Sequence, residues 1–436
     1  MNHGMIPWQN SDEINCGETS VVSQMTLLVF AGILTLASSG ADGACLDLDA
    51  AITAGLANSE IIQIKRASLI ESSAQLDSAR ASVLPSIALS VSHAISETAT
   101  DQQTASKIVV TQPIFKGGRE YALLRGANAQ VEAGKQNVDA AKITLARELT
   151  RLYFDTLAAQ SEVAALTELH SVSERRHAEI KSRVAIGRSR ATDGLGADAQ
   201  VSSARAQLDA AKIQLDSLRR SLASATNSAP NSVCDVTLGE LPVASWQELR
   251  AKIMSRPDLT AGRITSKIAS EQVTVARAGH WPSLDLTGNY YLKRAQSQST
   301  SSSSSASTDW DMLLSASLPL FSGGSVNAAV REAKAREIQQ NLSLQLAEKN
   351  ALNEGSDLWE RFRASRNQNQ VLEESAAKSD AWYRRLAKDE RLGLATSLES
   401  LQALNASIDA RRAAVKARIQ VLLTWRTLIL AMGDTL

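Results

Sequence analysis

The sequence of 436 residues is poor in aromatic residues, proline and cysteine, and it carries no net charge. Aromatic residues make up 4% of the chain although 44% of it is hydrophobic, so small aliphatic side chains supply most of the apolar surface. This composition favours closely packed helices over a thick globular core. Basic and acidic residues number 46 each, which removes the general attraction that nucleic-acid binding requires.

Motifs for catalysis, cofactors and metals are also missing. The chain contains no G-x-S-x-G, Walker A or G-x-G-x-x-G sequence, so we expect neither enzymatic activity nor a cofactor. Cys16, Cys45 and Cys234 are widely spaced and include no C-x-x-C pair, so we expect neither a disulfide framework nor a metal site.

The N-terminal 44 residues resemble a secretory signal. The mostly apolar stretch 21–37 precedes small residues, as in an h-region followed by a cleavage zone, although the first basic residue of the chain is Lys65. A single membrane anchor is the alternative, but the uninterrupted apolar core, 25–37, is shorter than the roughly 20 residues that a spanning helix needs. We therefore predict an exported protein with a signal region at 1–44.

Cys45 directly follows Gly43 and Ala44, as the acylated cysteine does in a bacterial lipoprotein signal. Asp42 stands where such signals carry an aliphatic residue. Cys45 is therefore a candidate lipidation site, and the alternative is an ordinary thiol near the cleavage point.

The rest of the chain is an internal duplication. The segment 78–86 is echoed by 275–283, and Pro-Ile-Phe-Lys-Gly-Gly at 113–118 is echoed by Pro-Leu-Phe-Ser-Gly-Gly at 319–324. We predict a first repeat at 45–228, a linker at 229–245 and a second repeat at 246–433.

Each repeat is expected to contain a helix, two strands, a very long helix and a further helix. Period-2 alternation predicts strands at about 86–95, 107–115, 283–292 and 309–320, joined within each repeat by polar loops. Helical patterning without proline then continues to about Gly187 and Gly393. Seventy helical residues span about 100 Å, so these helices form coiled-coil-like walls and not a globular core.

Four amphipathic strands per chain match the length of outer-membrane strands but are too few to close a barrel. Unpaired edges are prohibitive in lipid, and three copies would resolve this with twelve strands. The predicted fold class is therefore mainly α: long antiparallel coiled-coil helices form a tunnel, and each chain contributes four strands to a trimeric 12-stranded transmembrane β-barrel.

The duplicated plan, the Pro-Ser start of each first strand, the P-[IL]-F-x-G-G segments and the sequence Arg-Pro-Asp-Leu at 256–259 resemble the outer-membrane efflux protein (TolC-like) family over about residues 46–433. The resemblance implies a homotrimer in outer-membrane lipid with a tunnel extending into the periplasm. It also implies docking to a periplasmic adaptor protein and an inner-membrane ABC or proton-driven transporter. Drug efflux and type I secretion both fit, so the cargo is either small toxic molecules or an unfolded polypeptide.

The resemblance further implies two functional regions where the long helices reverse. Residues at the periplasmic tip that would contact the adaptor are Gly187, Thr192, Gly393, Thr396 and Ser397. Residues of the entrance gate are Asp193, Glu399, Gln402, Arg190 and Arg391. Two positions depart from the family pattern, since Ala395 replaces an Arg and Glu390 replaces a Tyr. Three copies of Glu399 in a narrow pore would favour cations, whereas an exposed helix carboxylate without such a role is the alternative.

A different class of protein also has to be weighed. A soluble periplasmic coiled-coil scaffold or adaptor would use the long helices equally well. It would have no use for four strands that alternate apolar and polar residues, so the channel is the preferred interpretation.

Overall fold

A computed structural model describes residues 45–94, 103–228, 231–239, 245–293 and 309–433 of the chain. The predicted signal region, the serine run at 301–305 and the parts 229–230 and 240–244 of the predicted linker lie outside these residues. Eight helices are found in the described part: α1 Leu48–Asn58, α2 Glu60–Ala81, α3 Arg119–Ala185, α4 Ala191–Thr226, α5 Trp246–Met254, α6 Pro257–Arg277, α7 Ser325–Arg391 and α8 Ser397–Ala431. Four strands accompany them: β1 Ser86–Ala94, β2 Gln103–Lys116, β3 Ser283–Lys293 and β4 Trp310–Ser317.

The two long helices, α3 and α7, each contain 67 residues and therefore extend about 100 Å. Each begins directly after a pair of glycines in the left-handed conformation. Each residue from β2 into α4 corresponds to the residue 206 positions later, since Pro113 and Gly187 align with Pro319 and Gly393. The two repeats therefore align without an insertion from the second strand of each repeat, through the long helix, into the helix that follows.

The four strands form one antiparallel sheet in the order β1-β2-β3-β4. The central pair, β2 and β3, joins the two repeats, and its register shifts twice, between Ser106 and Lys107 and between Pro113 and Phe115. Among the described residues, each of β1 and β4 has a strand neighbour on one side only, so both edges of the sheet are unpaired there.

The structure differs from the predicted boundaries at two strands. β2 begins at Gln103, four residues earlier than the predicted 107, because 103–106 pair with 91–94 of β1. β4 ends at Ser317 and not at 320, because its partner β3 begins at Ser283, which lies opposite Ser317.

The predicted first helix of each repeat is divided into two. Ser59 separates α1 from α2 with an extended backbone, and Pro257 begins α6 after a break at Ser255 and Arg256. A proline at the first helical position is well tolerated because that N–H has no partner within the helix.

From the sequence we expect no disulfide framework, and the prediction does not include a single disulfide, but the sulfur atoms of Cys45 and Cys234 are bonded to each other. Although 189 residues separate them, the segment that begins at Cys45 and the inter-repeat linker lie side by side: Leu46 N donates to Ser232 O, and Cys234 N donates to Leu46 O. A sulfur in a disulfide carries no acyl group, so this bond and the lipidation expected at Cys45 exclude each other.

Tyr153 of α3 contacts this junction through its hydroxyl group. Its hydroxyl lies 2.9 Å from Leu46 O and 2.8 Å from Cys234 O. Burial raises the pKa of Tyr153 and keeps the hydroxyl protonated as a donor. The main apolar core surrounds the ring, and its fully buried members include Ala51, Ile52, Ala146, Leu222 and Leu430.

Ion pairs connect the two repeats along the wall. Arg147 of α3 and Arg256 both contact Glu354 of α7, at 2.7 and 2.9 Å. Farther along, Glu162 of α3 pairs with Arg412 of α8. The pairs of Arg147 with Glu354 and of Glu162 with Arg412 therefore join the two repeats.

None of the helices in the described residues combines the length and the apolarity that crossing a membrane would require.

Candidate functional site

The ends of the two long helices reverse through the same backbone geometry. Gly187 has φ 72° and Gly393 has φ 76°, a left-handed conformation that favours glycine. Arg188 N donates to Arg183 O at 2.8 Å, and Leu394 N donates to Asp389 O at 2.9 Å. These are the hydrogen bonds of a Schellman motif, which satisfies the last carbonyls of a helix and turns the chain sharply.

Exposed apolar side chains lie beside the glycine of each turn. Leu392 and Leu394 flank Gly393 and are 72% and 76% exposed, and Ile186 beside Gly187 is 64% exposed. Thr192 and Thr396 are also exposed, and Ser397 is half-buried. On each hairpin, the predicted tip residues thus lie together at the turn. The exposed apolar residues next to them were not part of the sequence prediction.

The two predicted gate acids occupy equivalent places, at the third position of the helix that follows each turn. Glu399 accepts hydrogen bonds from Thr396 N at 2.8 Å and from Thr396 Oγ1 at 3.0 Å. Asp193 accepts from Arg190 N at 3.1 Å and from Ser189 Oγ at 3.2 Å. Both carboxylates therefore cap their own helices.

Capping also affects the charge of Glu399. The Thr396 backbone N–H, and then its hydroxyl, lower the pKa of Glu399, so this exposed side chain stays ionised. Gln402, Arg190 and Arg391 are exposed. Among the described residues, neither arginine forms an ion pair with a carboxylate.

A buried charge cluster lies between the hairpins. Glu390, at the end of α7, is 8% exposed, and its Oε2 lies 2.8 Å from Nη2 of Arg176. Arg183 Nη1 lies 3.3 Å from Oε1 of the same carboxylate, and Ser397 Oγ donates to Oε1 at 3.1 Å. Both arginines belong to α3, so the cluster ties the first repeat to the second beside the turns.

The state of Glu390 follows from two opposing effects. Burial raises its pKa, but hydrogen bonds from Arg176 and Ser400 outweigh burial and hold the pKa below its ordinary value. Glu390 is therefore an ionised buried carboxylate with charged partners.

The sequence prediction noted Glu390 only as a departure from the family pattern and missed Arg176, Arg183 and Ser400. One signal was present: the equivalent residue of the first repeat, 206 positions earlier, is the apolar Val184. A carboxylate at a position that is apolar in the other repeat indicates a specific partner.

The chain matches the family model of the outer membrane efflux protein over residues 51–228 and 249–434. It is 22% identical to the outer membrane protein TolC of Escherichia coli, with 82% of this chain and 76% of that protein covered. It is also 22% identical to the outer membrane efflux protein BepC of Brucella suis, with 77% and 74% covered.

A solved structure, the CmeC outer membrane channel of Campylobacter jejuni, superimposes with a TM-score of 0.76 at 18% identity, covering 89% of this chain and 87% of that one. This likeness confirms the predicted fold class of long helices with a small strand contribution. The matched relatives are channel proteins and not enzymes. The chain belongs to the outer membrane efflux protein family and is an outer-membrane exit duct for efflux or secretion.

Proposed function

We propose that three copies of this chain assemble into one duct. The observation that carries the proposal is the sheet, whose outer edges along β1 and β4 are unpaired in the part of the chain that the structure describes. Apolar side chains along these edge strands are exposed, among them Ile87, Leu89, Val91, Met312 and Leu314. A sheet with unpaired edges and exposed apolar residues is suited to forming a closed barrel with other copies in lipid.

The tips of the two hairpins are the proposed docking surface for a periplasmic adaptor. The Schellman turns carry three exposed apolar side chains, those of Leu392, Leu394 and Ile186. Exposed apolar groups at defined positions mark interaction sites. The adaptor would in turn connect the duct to an inner-membrane transporter, which supplies the energy and selects small molecules or a polypeptide as cargo.

The entrance gate is proposed to combine two elements. Glu399 and Asp193, repeated in three copies, place fixed negative charges near the entrance. The cluster of Glu390 with Arg176 and Arg183 holds the second hairpin against α3 and so restrains its movement. We propose that this cluster serves as a latch and that Arg190 and Arg391 remain solvated.

A photo-reactive amino acid at position 392 tests the docking surface in the native host. We expect a covalent adduct with a periplasmic adaptor protein, identified by mass spectrometry. The control is the same substitution at Ile213, which is 70% exposed on α4 away from the turns. Equal adducts from both positions, or none from position 392, would refute the tip as the docking site. Native mass spectrometry of the detergent-solubilised protein tests the trimer independently.

A further inference from the structure

The helices of the two long hairpins border a cavity that the proposed tip and gate do not use. Its volume is about 760 Å³, and α3, α4, α7 and α8 all line it. Each of these helices contributes one leucine to the lining: Leu152, Leu218, Leu358 and Leu423. Sites for small organic molecules are typically apolar cavities of roughly 300–1,000 Å³. The cavity therefore has the size and the lining of a small-molecule site.

The two apolar cores show which side of the helical wall the cavity occupies. On α3, Tyr153 packs into the core that includes α1, whereas Arg151, about 200° around the helix, lines the cavity. On α8, Trp425 packs into the core that includes α5, whereas Thr427, also about 200° around, lines the cavity. The cavity thus lies on the face opposite α1 and α5. A tunnel has room for α1 and α5 only on its outside, so the cavity faces the inside of the proposed duct.

Two of the arginines that line the cavity have charge that their neighbours do not fully compensate. Arg361 is exposed, and among the described residues it forms no ion pair. Arg147 shares the carboxylate of Glu354 with Arg256, at 2.7 and 2.9 Å. Nε and Nη2 of Arg147 are buried and have no hydrogen-bond partner. Because buried donors are normally paired, these two nitrogens indicate a ligand that carries acceptor oxygens.

The balance of charge in the lining is positive. Two carboxylates, those of Glu148 and Asp155, also line the cavity. Asp155 lies 3.5 Å from Nε of Arg151, so these two charges offset each other. Arg147 and Arg361 then face Glu148 alone, which leaves an excess of one positive charge among the lining residues. Electrostatic complementarity therefore favours a ligand with a negative charge.

We propose that this cavity binds amphiphilic organic anions, which makes such molecules a cargo class of the duct; the inference rests on the proposed duct. The acid group of the ligand accepts hydrogen bonds from the guanidinium groups of Arg147 and Arg361. The apolar part of the ligand packs against the four leucines and is removed from water there. A cation of the same shape is repelled by the same two guanidinium groups.

The acidic entrance does not oppose anion binding at the cavity. From Arg151 to the end of α3 at Ala185 the helix rises about 50 Å, whereas physiological salt screens charges over about 8 Å. Glu399 therefore affects ions at the entrance without changing the affinity of the cavity.

Calorimetric titration of the intact protein tests the proposed ligand class. The protein is held in nanodiscs of zwitterionic lipid, and empty nanodiscs provide the blank. The probe is naphthalene-2-sulfonate, and 2-naphthylmethylammonium is the control with the same rings and the opposite charge. We expect the sulfonate to occupy one site per chain and to bind about tenfold more tightly than the ammonium compound.

Three variants locate the bound sulfonate. Arg361→Gln removes the unpaired charge and should weaken binding about fivefold. Ser221 is exposed on α4 and lines the cavity, so Ser221→Phe fills the space without changing a charge and should abolish binding. The control is Arg363→Gln, which removes an exposed arginine of the same helix that pairs with Glu360 and lies outside the cavity lining. It should leave the affinity unchanged.

A fourth variant is expected to change the affinity in the opposite direction. Glu354→Gln removes the carboxylate that competes with the ligand for Arg147, so sulfonate binding should become about threefold tighter. Damage to the fold would weaken binding, so the sign of the change separates the two effects.

Native mass spectrometry and planar-bilayer conductance of the same preparations separate the cavity from the duct. A conducting trimer that binds neither probe, or both probes equally well, would overturn the anion site and leave the duct standing. Unchanged sulfonate affinity in both Arg361→Gln and Ser221→Phe would place the probe elsewhere and have the same consequence. A monomer would overturn the duct, and with it the place of the cavity in a tunnel wall.

Discussion

Glu390 and Arg176 form an ion pair of 2.8 Å although 214 residues separate them in the chain. The carboxylate is at the end of α7 and the guanidinium lies within α3, so the pair crosses from one repeat to the other. Glu390 is buried, and the side chain of Arg176 is 14% exposed. Water therefore screens this pair much less than the ion pairs along the outer helix faces.

Glu390→Gln removes the charge but keeps the size of the side chain. The buried Arg176 then keeps only the more distant carboxylate of Glu179, and the more exposed Arg183 loses its partner, so we expect the free energy of unfolding to fall by about 2 kcal/mol. We also expect higher conductance in planar bilayers, because the hairpin is less restrained. The control is Glu374→Gln, which breaks an exposed pair with Lys378 on the same helix and is expected to change neither quantity. Equal effects of both variants would rule out the latch.

The latch has a defined pH dependence. The folded-state pKa of Glu390 lies below its ordinary value, so its contribution to stability is complete above the ordinary glutamate pKa of about 4.3. It is lost as the pH falls below that value through the folded-state pKa. We expect conductance to stay constant from about pH 7 to 5 and to rise only under stronger acid. The Glu390→Gln variant should lack this acid-dependent rise.

Repeats, strands and long helices were predictable because each leaves a local pattern in the sequence. Apolar alternation located β1 and β3 to within a residue, and the paired glycines marked the starts of α3 and α7. Pairing between distant segments leaves no such pattern. The bond from Cys45 to Cys234 and the partners of Glu390 depend on how α3 lies against the linker and α7, which no local period specifies.

The end of β4 was overestimated for a related reason. Residues 318–320 continue the strand-like sequence, but a strand requires a neighbour, and within one chain β3 offers none beyond Ser283. The positions of the candidate gate acids were predictable because they follow from the turns. Their capping role was not, because it depends on the backbone of the next helix.

Gly393→Ala is expected to destabilise the second tip. No atom lies within 4 Å of a Cβ added there, so the whole effect comes from the left-handed backbone, at about 1–2 kcal/mol. Gly187→Ala should have a similar effect because its geometry is the same. The control Gly196→Ala also has open space but lies within α4, where alanine is expected to stabilise the helix. Thermal unfolding followed by circular dichroism should show melting temperatures that fall for the first two variants only.

Glu399→Gln tests the charge at the entrance. Because hydrogen bonds from Thr396 lower the pKa of Glu399, the carboxylate is ionised at neutral pH, and its removal should reduce the preference of the channel for cations. Reversal potentials in a salt gradient across planar bilayers measure this preference. Asp77→Asn on α2, which removes an exposed carboxylate far from the turns, should leave it unchanged. An unaltered reversal potential in Glu399→Gln would limit this residue to helix capping.

A comparison of Cys45→Ser with Cys234→Ser distinguishes the disulfide from lipidation, because a disulfide makes the effects of the two substitutions equal. Each substitution breaks the same bond, so both should lower the free energy of unfolding by about 2–4 kcal/mol, and a reductant should do the same to the unsubstituted protein.

An acyl group on Cys45 would make the two variants differ, since only Cys45→Ser would then lose it. Intact mass spectrometry of the disulfide-bonded protein should show a mass lower than that of the reduced protein by two hydrogen atoms, with no acyl chain. Tyr153→Phe adds a further check, because its hydroxyl bridges the same junction from α3 and its loss should weaken that junction by about 1 kcal/mol while the disulfide stays intact. Stability lost only in Cys45→Ser, together with a heavier native mass, would show that the cysteine anchors a lipid and that hydrogen bonds, including those of Tyr153, hold the junction without a disulfide.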